Sequence, residues 1–275
     1  MQHILSVWDS IITRIKSSKR VLLLFDYDGT LTPIVERPEL ADLDRESRQL
    51  LHALARKPRF TVGIVSGRAL NDLRNRVNVS GIIYAGNHGL EIKGPGVEFV
   101  YPLTEEIEAV MRVLNKMLSK SLSPIRGVVV EDKGTTLSVH YRMVDEEKTD
   151  EVKNIFERVV GVARTLGKVK TTSGKEVHEV RPNIPWHKGK AVKFIMKKYA
   201  KRGRQSGILP IYVGDDLTDE DAFKVIEGYG GISIYVGSED SQTVARYLLN
   251  STAEVTELMQ RLVTLEQGGG KWSSG

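Results

Sequence analysis

The 275-residue sequence contains no cysteine. This absence excludes a disulfide-stabilised scaffold, a cysteine nucleophile and a metal site built from thiolates. Long apolar runs are also absent, since no segment approaches the ~20 apolar residues that span a bilayer. Neither sign of charge dominates, because 40 Lys and Arg against 35 Asp and Glu leave a formal charge of +5. We therefore expect no membrane span and no nucleic-acid partner, and this weak positive charge favours an anionic substrate only slightly.

The N-terminal segment lacks the apolar stretch and the cleavage site of a signal peptide, since Asp9 and Arg14 interrupt it. Its apolar residues instead recur on one helical face, at positions 4, 8, 11, 12 and 15. This pattern favours a helix packed on the domain over the alternative of an amphipathic membrane anchor. We expect a cytoplasmic protein.

Apolar runs alternate with helical patterns in both the first and the last third of the chain. Strand, helix and strand in this order predict an α/β fold with a Rossmann-like, doubly wound parallel sheet. One helix is predicted over Thr218–Val225 with Thr218 as its N-cap, and one or two helices over residues 240–265. The predicted strands of this sheet are Val21–Phe25, Phe60–Val65, Ile82–Ala85, Leu209–Val213 and Ile232–Val236.

The middle of the chain has another order of elements. Residues 104–183 predict a helix, two strands, a second helix and two further strands, which suits an α+β domain with an antiparallel sheet. We therefore predict a core formed by residues 1–103 and 184–267 and an inserted domain over residues 104–183. Residues 268–275, rich in glycine and serine, are predicted to be a disordered tail.

Acidic pairs follow two of the predicted strands. Asp26 and Asp28 come after the first strand, and Asp215 and Asp216 follow Leu209–Val213. Because ligands of open α/β sheets bind at the carboxyl ends of the strands, we expect these acids to share one crevice. Converging carboxylates suit an octahedral hard cation, Mg²⁺ above all. The alternative for Asp26 and Asp28 by themselves is an Asx-turn with solvated acids.

Two further positions fit an anion at this crevice. Ser66 stands at another strand end and is followed by Gly67, so a hydroxyl and main-chain N–H groups lie near a helix start. Lys188 begins a predicted helix, where the helix dipole disfavours a cation and a bound phosphate would offset that cost. Taken alone, Lys188 would more often be a solvated surface lysine, and its place in this set of residues favours the anion site.

These motifs, taken in order, resemble the haloacid-dehalogenase-like phosphatase superfamily. They are Asp26-Tyr27-Asp28-Gly29-Thr30-Leu31, Ser66-Gly67-Arg68, Lys188-Gly189 and Gly214-Asp215-Asp216. The inserted αββαββ domain resembles the C2B-type cap of that superfamily.

A narrower resemblance, to the trehalose-6-phosphate phosphatase family, covers nearly the whole chain. It is carried by Asp26–Ile34, Ala85–Glu91, Glu131-Asp132-Lys133, His140-Tyr141-Arg142, Glu179–Pro182 and Gly214–Phe223. The resemblance implies a hydrolase acting on trehalose 6-phosphate with Mg²⁺ as its cofactor, in the last step of trehalose biosynthesis. We expect a phosphatase without the glycosyltransferase domain of the fused synthase–phosphatase forms.

The family resemblance also implies the roles of the core residues. Asp26 would attack phosphorus and form an aspartyl-phosphate, while Asp28 would protonate the leaving sugar oxygen and then activate water. Ser66 and Lys188 would hold the phosphoryl oxygens. The implied metal ligands are Asp26, the Asp28 main-chain carbonyl and Asp215, with Asp216 and Asp219 orienting the metal shell.

For the sugar, the resemblance implies a set of hydrogen-bonding residues. Purely structural roles are the alternative, with Glu131 and Lys133 in a solvated hairpin turn, Arg142 and Glu179 as a cross-strand pair, and His88 inside the fold. Arg181 is a weaker candidate for binding the sugar, because the alternative for it is an ion pair with an acid at the domain hinge. The implied sugar-binding residues are Glu131, Lys133, His140, Arg142 and Glu179 of the inserted domain, with Arg68, Asn87 and His88 of the core.

The chemistry of the residues leaves other substrates open, namely sucrose 6-phosphate, mannosyl-3-phosphoglycerate or a hexose phosphate. A non-catalytic sensor subunit of a trehalose synthase complex is the alternative from another class of protein. We expect a monomer, with a trehalose-6-phosphate synthase as the candidate protein partner.

Overall fold

A computed structural model describes residues 1–35, 40–174, 176–201 and 207–265 of the chain. The predicted tail over residues 268–275 lies outside these ranges. The chain divides into two compact units. Unit 1 combines residues up to Phe99 with those from His187 onwards, and unit 2 is Val100–Trp186.

Unit 1 is built on a nine-stranded sheet. Its strands are β1 (Gln2–His3), β2 (Arg20–Phe25), β3 (Phe60–Val65), β4 (Ile83–Gly86), β5 (Glu91–Gly94), β6 (Val97–Val100), β11 (Ile208–Gly214), β12 (Ile232–Val236) and β13 (Tyr247–Leu249). They lie in the order β1-β13-β12-β11-β2-β3-β4-β5-β6. The pairs from β1 to β4 are parallel and β5 is antiparallel to β4, so the predicted α/β fold with a parallel-sheet core is confirmed.

Six helices accompany this sheet in the described part of unit 1. Their buried apolar residues join those of the strands in one core, in which Ile11 of the first helix and Leu51 of the second are almost fully buried. The predicted packing of the N-terminal helix on the domain is thereby confirmed. The helices are α1 (Trp8–Ser17), α2 (Arg45–Ala55), α3 (Leu70–Val77), α6 (Lys188–Lys201), α7 (Glu220–Gly228) and α8 (Thr252–Thr264).

Unit 2 has its own core between two helices and a four-stranded antiparallel sheet. Its elements are α4 (Glu105–Leu122), β7 (Val129–Asp132), β8 (Leu137–His140), α5 (Glu146–Thr165), β9 (Val169–Gly174) and β10 (Val177–Pro182). The strand order is β7-β8-β10-β9. Leu137, Val139 and Val180 alternate along the strands and point to the buried face. Within the described ranges, no helix combines the length and the apolar composition needed to cross a membrane.

Helix α8 confirms the closing helix predicted within residues 240–265, but two details at the C-terminal end of unit 1 differ from the prediction. Residues 240–265 contain the short strand β13 before helix α8, because Tyr247–Leu249 pairs with β12 and is buried. Thr218 is not an N-cap, since it lies inside a 3-10 turn over Leu217–Asp219. Asp216 caps that turn, and α7 begins directly after it.

The capping residue of α2 permits a test of this part of the fold. Asp44 Oδ1 accepts the main-chain N–H of Ser47 at 2.8 Å. Burial raises the pKa of Asp44, but hydrogen bonds from Ser47 and neighbouring main-chain groups outweigh it and leave the pKa below its usual value. We expect Asp44→Ala to lower the free energy of unfolding by about 1 kcal/mol at pH 7, measured by urea denaturation.

Asp44→Asn is the matched control, because asparagine also caps helices well, and it should stay close to the wild type. Since the folded-state pKa of Asp44 is depressed, its charge-dependent stabilisation is present at neutral pH and is lost as the pH falls through that pKa. The deficit of Asp44→Ala should therefore shrink in acid. A deficit that is independent of pH would contradict this assignment.

Candidate active site

The candidate site of unit 1 stands at the carboxyl ends of three adjacent parallel strands. Asp26 follows β2, Ser66 follows β3 and Asp215 follows β11, and β2 lies between the other two strands. The main-chain N–H of Asp26 donates to the carbonyl of Val213 at 2.8 Å, which ties two of these strand ends together. The topology thus places three of the predicted residues at the same edge of the sheet.

Lys188 is the buried cation of this edge. It is the first residue of α6, and its Nζ lies 2.9 Å from Asp26 Oδ1 and 2.7 Å from Asp219 Oδ1. Gly189 makes this position possible, because a Cβ there would overlap the main chain of Asp221 in α7. The solvated surface lysine, which was the alternative for Lys188, is therefore excluded.

Asp219 is fully buried and is surrounded by hydrogen-bond donors. Besides Lys188, its Oδ1 accepts the hydroxyl of Tyr212 at 2.6 Å. Its Oδ2 accepts the main-chain N–H groups of Asp215 at 3.2 Å and Asp216 at 3.1 Å. Four donors hold this carboxylate, which in turn fixes the turn after β11.

The charges of this cluster are strongly perturbed. Burial raises the pKa of Asp26; Lys188 opposes this shift, whereas repulsion from Asp219 and Asp215 adds to it. Burial and the charge of Asp219 raise the pKa of Asp215 to about 7. Burial lowers the pKa of Lys188, but Asp219 and Asp26 outweigh it, so the pKa is raised and the lysine stays cationic. Further positive charge would favour the ionised form of these carboxylates.

The carboxylates of Asp26, Asp215 and Asp219 suit a hard divalent cation. Each offers one oxygen, and these three oxygens lie within 4.8 Å of one another. Three acids face one lysine, and oxygen ligands are those that Mg²⁺ prefers. Thr30 also orients Asp215, donating its hydroxyl to Oδ1 at 2.9 Å. The donor set therefore fits the predicted cofactor, although Asp219 already accepts four hydrogen bonds.

Asp28 has different partners from Asp26. The guanidinium of Arg68 forms a bidentate ion pair with Asp28, with Nε 2.7 Å from Oδ2 and Nη2 2.6 Å from Oδ1. Arg68 also pairs with Asp72 at 2.9 Å and lies over the ring of Tyr27. Asp26 and Asp28, which were predicted to share a crevice, thus contact different cations: Asp26 contacts Lys188 and Asp28 contacts Arg68. Arg68, predicted as a sugar ligand, holds the Asp28 carboxylate in this structure.

Asn87 and His88 lie buried in the turn after β4. Both have positive φ, 50° and 56°, and their main-chain N–H groups donate to the carbonyls of Arg68 and Ser66. The Asn87 amide donates to Glu91 at 2.8 Å. Gly67 allows the His88 ring to approach, since a Cβ there would lie 2.9 Å from ring atoms. These two residues therefore connect the end of β4 to the segment after β3 that carries Ser66 and Arg68.

Unit 2 carries its predicted residues on the sheet face opposite its core. Glu131 and Glu179 both stand opposite Ser138 in the strand register, so they share this face. Glu131 contacts His140 at 2.9 Å, and Lys133 Nζ lies 3.9 Å from carboxylate oxygens of both Glu131 and Glu179. The structure thus brings these four residues into one charged network.

Two arginines of unit 2 form ion pairs with acids of the same unit. Arg142 pairs with Glu176 at 3.0 Å, in the turn between β9 and β10. Arg181 Nε lies 3.4 Å from Glu179 Oε2. The structure therefore joins Arg181, the weaker candidate, to the charged network through Glu179. Arg142 lies two residues after the end of β8.

Sequence reasoning missed Tyr212 and Asp72. Tyr212 is part of an apolar strand, Ile208–Gly214, whose pattern predicts burial but not a polar contact. Asp72 lies in α3, four residues after Arg68, and this i, i+4 spacing was the available signal for their ion pair.

Comparison with known proteins identifies the family of the chain. The family model described as trehalose-phosphatase matches residues 24–253. The chain belongs to the trehalose-phosphatase family.

Individual members resemble the chain over most of its length. Probable trehalose-phosphate phosphatase D of Arabidopsis thaliana is 36% identical over 93% of this chain and 70% of its own length. The C-terminal domain of trehalose-6-phosphate phosphatase from C. albicans superposes with a TM-score of 0.79 at 25% identity, covering 94% of this chain and 97% of that one. A haloacid dehalogenase-like hydrolase from Bacteroides thetaiotaomicron, 15% identical, shares the fold with a TM-score of 0.62, covering 89% of this chain and 100% of its own.

In this trehalose-phosphatase family member, Gly29 limits how the site can be built. Its φ is +82°, and a Cβ there would overlap the carboxylate of Asp215. We expect Gly29→Ala to displace Asp215 and weaken the binding of Mn²⁺, a probe for the cation site, about 10- to 100-fold in isothermal titration calorimetry.

Gly81→Ala is the matched control. Gly81 has nearly the same φ, +81°, but nothing lies within 4 Å of its added Cβ. It should incur the backbone strain of about 1–2 kcal/mol and keep its affinity for Mn²⁺. Equal losses of affinity in both variants would show that strain, and not Asp215, is responsible.

Proposed function

We propose that the chain hydrolyses trehalose 6-phosphate to trehalose and phosphate, the last step of trehalose biosynthesis. The observation that carries this proposal is the buried contact of Lys188 with both Asp26 and Asp219 at the strand ends, in a member of the trehalose-phosphatase family. An acid held against a buried cation suits a nucleophile that must stay ionised beside a phosphate.

Asp26 is the nucleophile of the proposed reaction. One of its oxygens attacks phosphorus and the bond from phosphorus to the sugar oxygen breaks, which leaves an aspartyl-phosphate. Lys188 and Ser66 hold phosphoryl oxygens in line, so positioning and charge stabilisation supply most of the catalysis. The ammonium of Lys188 already lies 2.9 Å from the attacking carboxylate.

Asp28 is the proposed proton carrier. Asp28 starts protonated and gives its proton to the departing sugar oxygen, then takes one from the water that attacks phosphorus. The bond from phosphorus to Asp26 breaks, phosphate leaves, and both carboxyl groups return to their initial states. To donate, Asp28 has to leave its ion pair with Arg68 and take up a proton from solvent, since its two oxygens lie 2.6 and 2.7 Å from guanidinium nitrogens in this structure. Arg68 is then available to the substrate, as its predicted role requires.

Mg²⁺ is the proposed cofactor, held by Asp26, the Asp28 main-chain carbonyl and Asp215. When bound it neutralises charge on the phosphoryl oxygens. Asp216 and Asp219 orient this site: Asp216 caps the turn after β11, and both oxygens of Asp219 already accept hydrogen bonds. Asp219 thus supports Lys188 and the turn.

We assign residues 1–103 and 184–267 to the catalytic core and residues 104–183 to an inserted C2B-type cap. The order of the elements α4 to β10 supports this assignment. A disaccharide presents many hydroxyls, and the charged face of unit 2 offers donors and acceptors for them. The proposed sugar-binding residues are Glu131, Lys133, His140, Arg142 and Glu179, with Arg68, Asn87 and His88 from the core.

The proposed setting is a cytoplasmic monomer, with a trehalose-6-phosphate synthase as its candidate partner. The intact set of Asp26, Asp28 and Lys188 favours an enzyme over a sensor subunit.

The decisive experiment measures phosphate release from trehalose 6-phosphate with Mg²⁺. EDTA should abolish it, and Asp26→Asn should reduce it by a factor on the order of 10⁴, since the nucleophile is lost. Asp150→Asn, a surface change in α5, is the control and should retain activity. Sucrose 6-phosphate, mannosyl-3-phosphoglycerate and glucose 6-phosphate complete the panel, and faster turnover of any of them would overturn the substrate assignment.

The role of unit 2 in binding sugar has its own test. Lys133→Met should raise KM for trehalose 6-phosphate about tenfold, because a charged hydrogen-bond donor is lost. Hydrolysis of p-nitrophenyl phosphate, which has no sugar, should be unchanged. Lys148→Met removes an exposed lysine that pairs with Glu151 and serves as the control. A loss of equal size with both substrates would contradict a role for Lys133 in recognising the sugar.

A further inference from the structure

Tyr212 is a buried polar residue that the proposed reaction does not use. It lies in β11, two residues before Gly214, and its side chain is fully buried. Its ring packs edge-on against Phe223, with 5.7 Å between the ring centroids. The direction of the hydroxyl is therefore set by apolar packing, independently of the acid to which it donates.

The hydroxyl of Tyr212 donates to Asp219, the carboxylate that also pairs with Lys188 and lies in the candidate cation site. Tyr212 donates to Asp219 Oδ1 at 2.6 Å, and Lys188 reaches the same oxygen at 2.7 Å. Burial and the nearby acids raise the pKa of the phenol, which keeps it protonated as a donor. Lys188 thus shares its acceptor with a second, permanent donor.

The shared oxygen matters because Asp219 belongs both to the ion pair with Lys188 and to the acidic cluster of the candidate cation site. Its oxygen is within 4.8 Å of oxygens of Asp26 and Asp215, which makes it a possible third cation ligand. Its Oδ2 is held by main-chain N–H groups, so the donors on Oδ1 decide how much charge it can offer a cation. Of these donors, Lys188 also serves Asp26.

We propose that Tyr212 is a positioning residue, which acts through Asp219 to keep that carboxylate out of the cation shell and Lys188 free to reach Asp26. The proposal rests on the proposed function. Without the hydroxyl, Lys188 is the one side-chain donor described for Asp219 Oδ1, and it moves towards Asp219 at the expense of Asp26. The carboxylate also keeps more of its charge and attracts the cation.

The test compares Tyr212→Phe with Tyr84→Phe. The control also removes a buried hydroxyl from unit 1, one that bonds the main chain of Val79 at 2.6 and 3.0 Å. For Tyr212→Phe we expect kcat for trehalose 6-phosphate to fall about tenfold with KM changed less than about twofold. The Kd for Mn²⁺, measured by calorimetry without substrate, should decrease about threefold, because a less neutralised carboxylate binds a cation more tightly.

A merely structural role predicts a different pattern. Tyr212→Phe would then resemble Tyr84→Phe, with a lower Tm and with kcat and Kd unchanged or both impaired, and this result would overturn the proposal. So would a Tyr212→Phe protein that does not fold while Tyr84→Phe does, since the hydroxyl would then serve folding.

A double-mutant cycle with Asp219→Asn tests the route. If Tyr212 acts through Asp219, Tyr212→Phe should lower kcat less than about twofold in the Asp219→Asn background. A full tenfold loss of kcat in that background would show that Tyr212 does not act through Asp219 and would overturn the proposal.

Failure of this inference can be distinguished from failure of the proposed function. If the wild type binds Mn²⁺ and releases phosphate, and Tyr212→Phe has the same kcat and Kd as the wild type, only this inference is refuted. Wild type that does neither would overturn the proposed function and the role of Tyr212 with it.

Discussion

The rest of the site depends on the buried ion cluster of Lys188 with Asp26 and Asp219. Burying a charge is costly unless it is paired and hydrogen-bonded, and here one ammonium bridges two acids at 2.9 and 2.7 Å. Because Asp219 also binds the turn after β11, the same contact positions Asp215. The cluster therefore joins the start of α6 to the ends of β2 and β11.

Small residues allow this cluster to form. A Cβ on Gly29 would overlap the carboxylate of Asp215, and one on Gly214 would overlap that of Asp219. Each glycine thus admits a carboxylate next to a strand end. The acids converge because the backbone between them leaves room, which explains why the short motifs around Asp26 and Asp215 contain glycine.

The charges of unit 2 follow another principle. Its sheet separates an apolar face, packed on α4 and α5, from a face that carries Glu131, Lys133, His140 and Glu179. Opposite charges alternate across neighbouring strands, so each acid has a basic neighbour. Such a face offers hydrogen-bond donors and acceptors together, which is the chemistry that the proposed binding of sugar hydroxyls needs.

The sequence alone was sufficient for the parallel-sheet core and the strand-end residues. Buried strands such as Phe60–Val65 appear as continuous apolar runs, and the polar residue that follows such a run lies at the sheet edge by topology. The position of Lys188 at the start of a helix followed from the pattern as well.

Only the tertiary structure decided which charges meet. The pairing of Asp28 with Arg68, of Arg142 with Glu176, and of Tyr212 with Asp219 joins residues whose partners depend on packing and rotamers. The short strand β13 was equally hidden, because three residues carry too little periodicity to distinguish a strand from a helix until a neighbour pairs with them. Local patterns determine which side chains reach an edge, whereas their distances to one another arise only when distant segments pack.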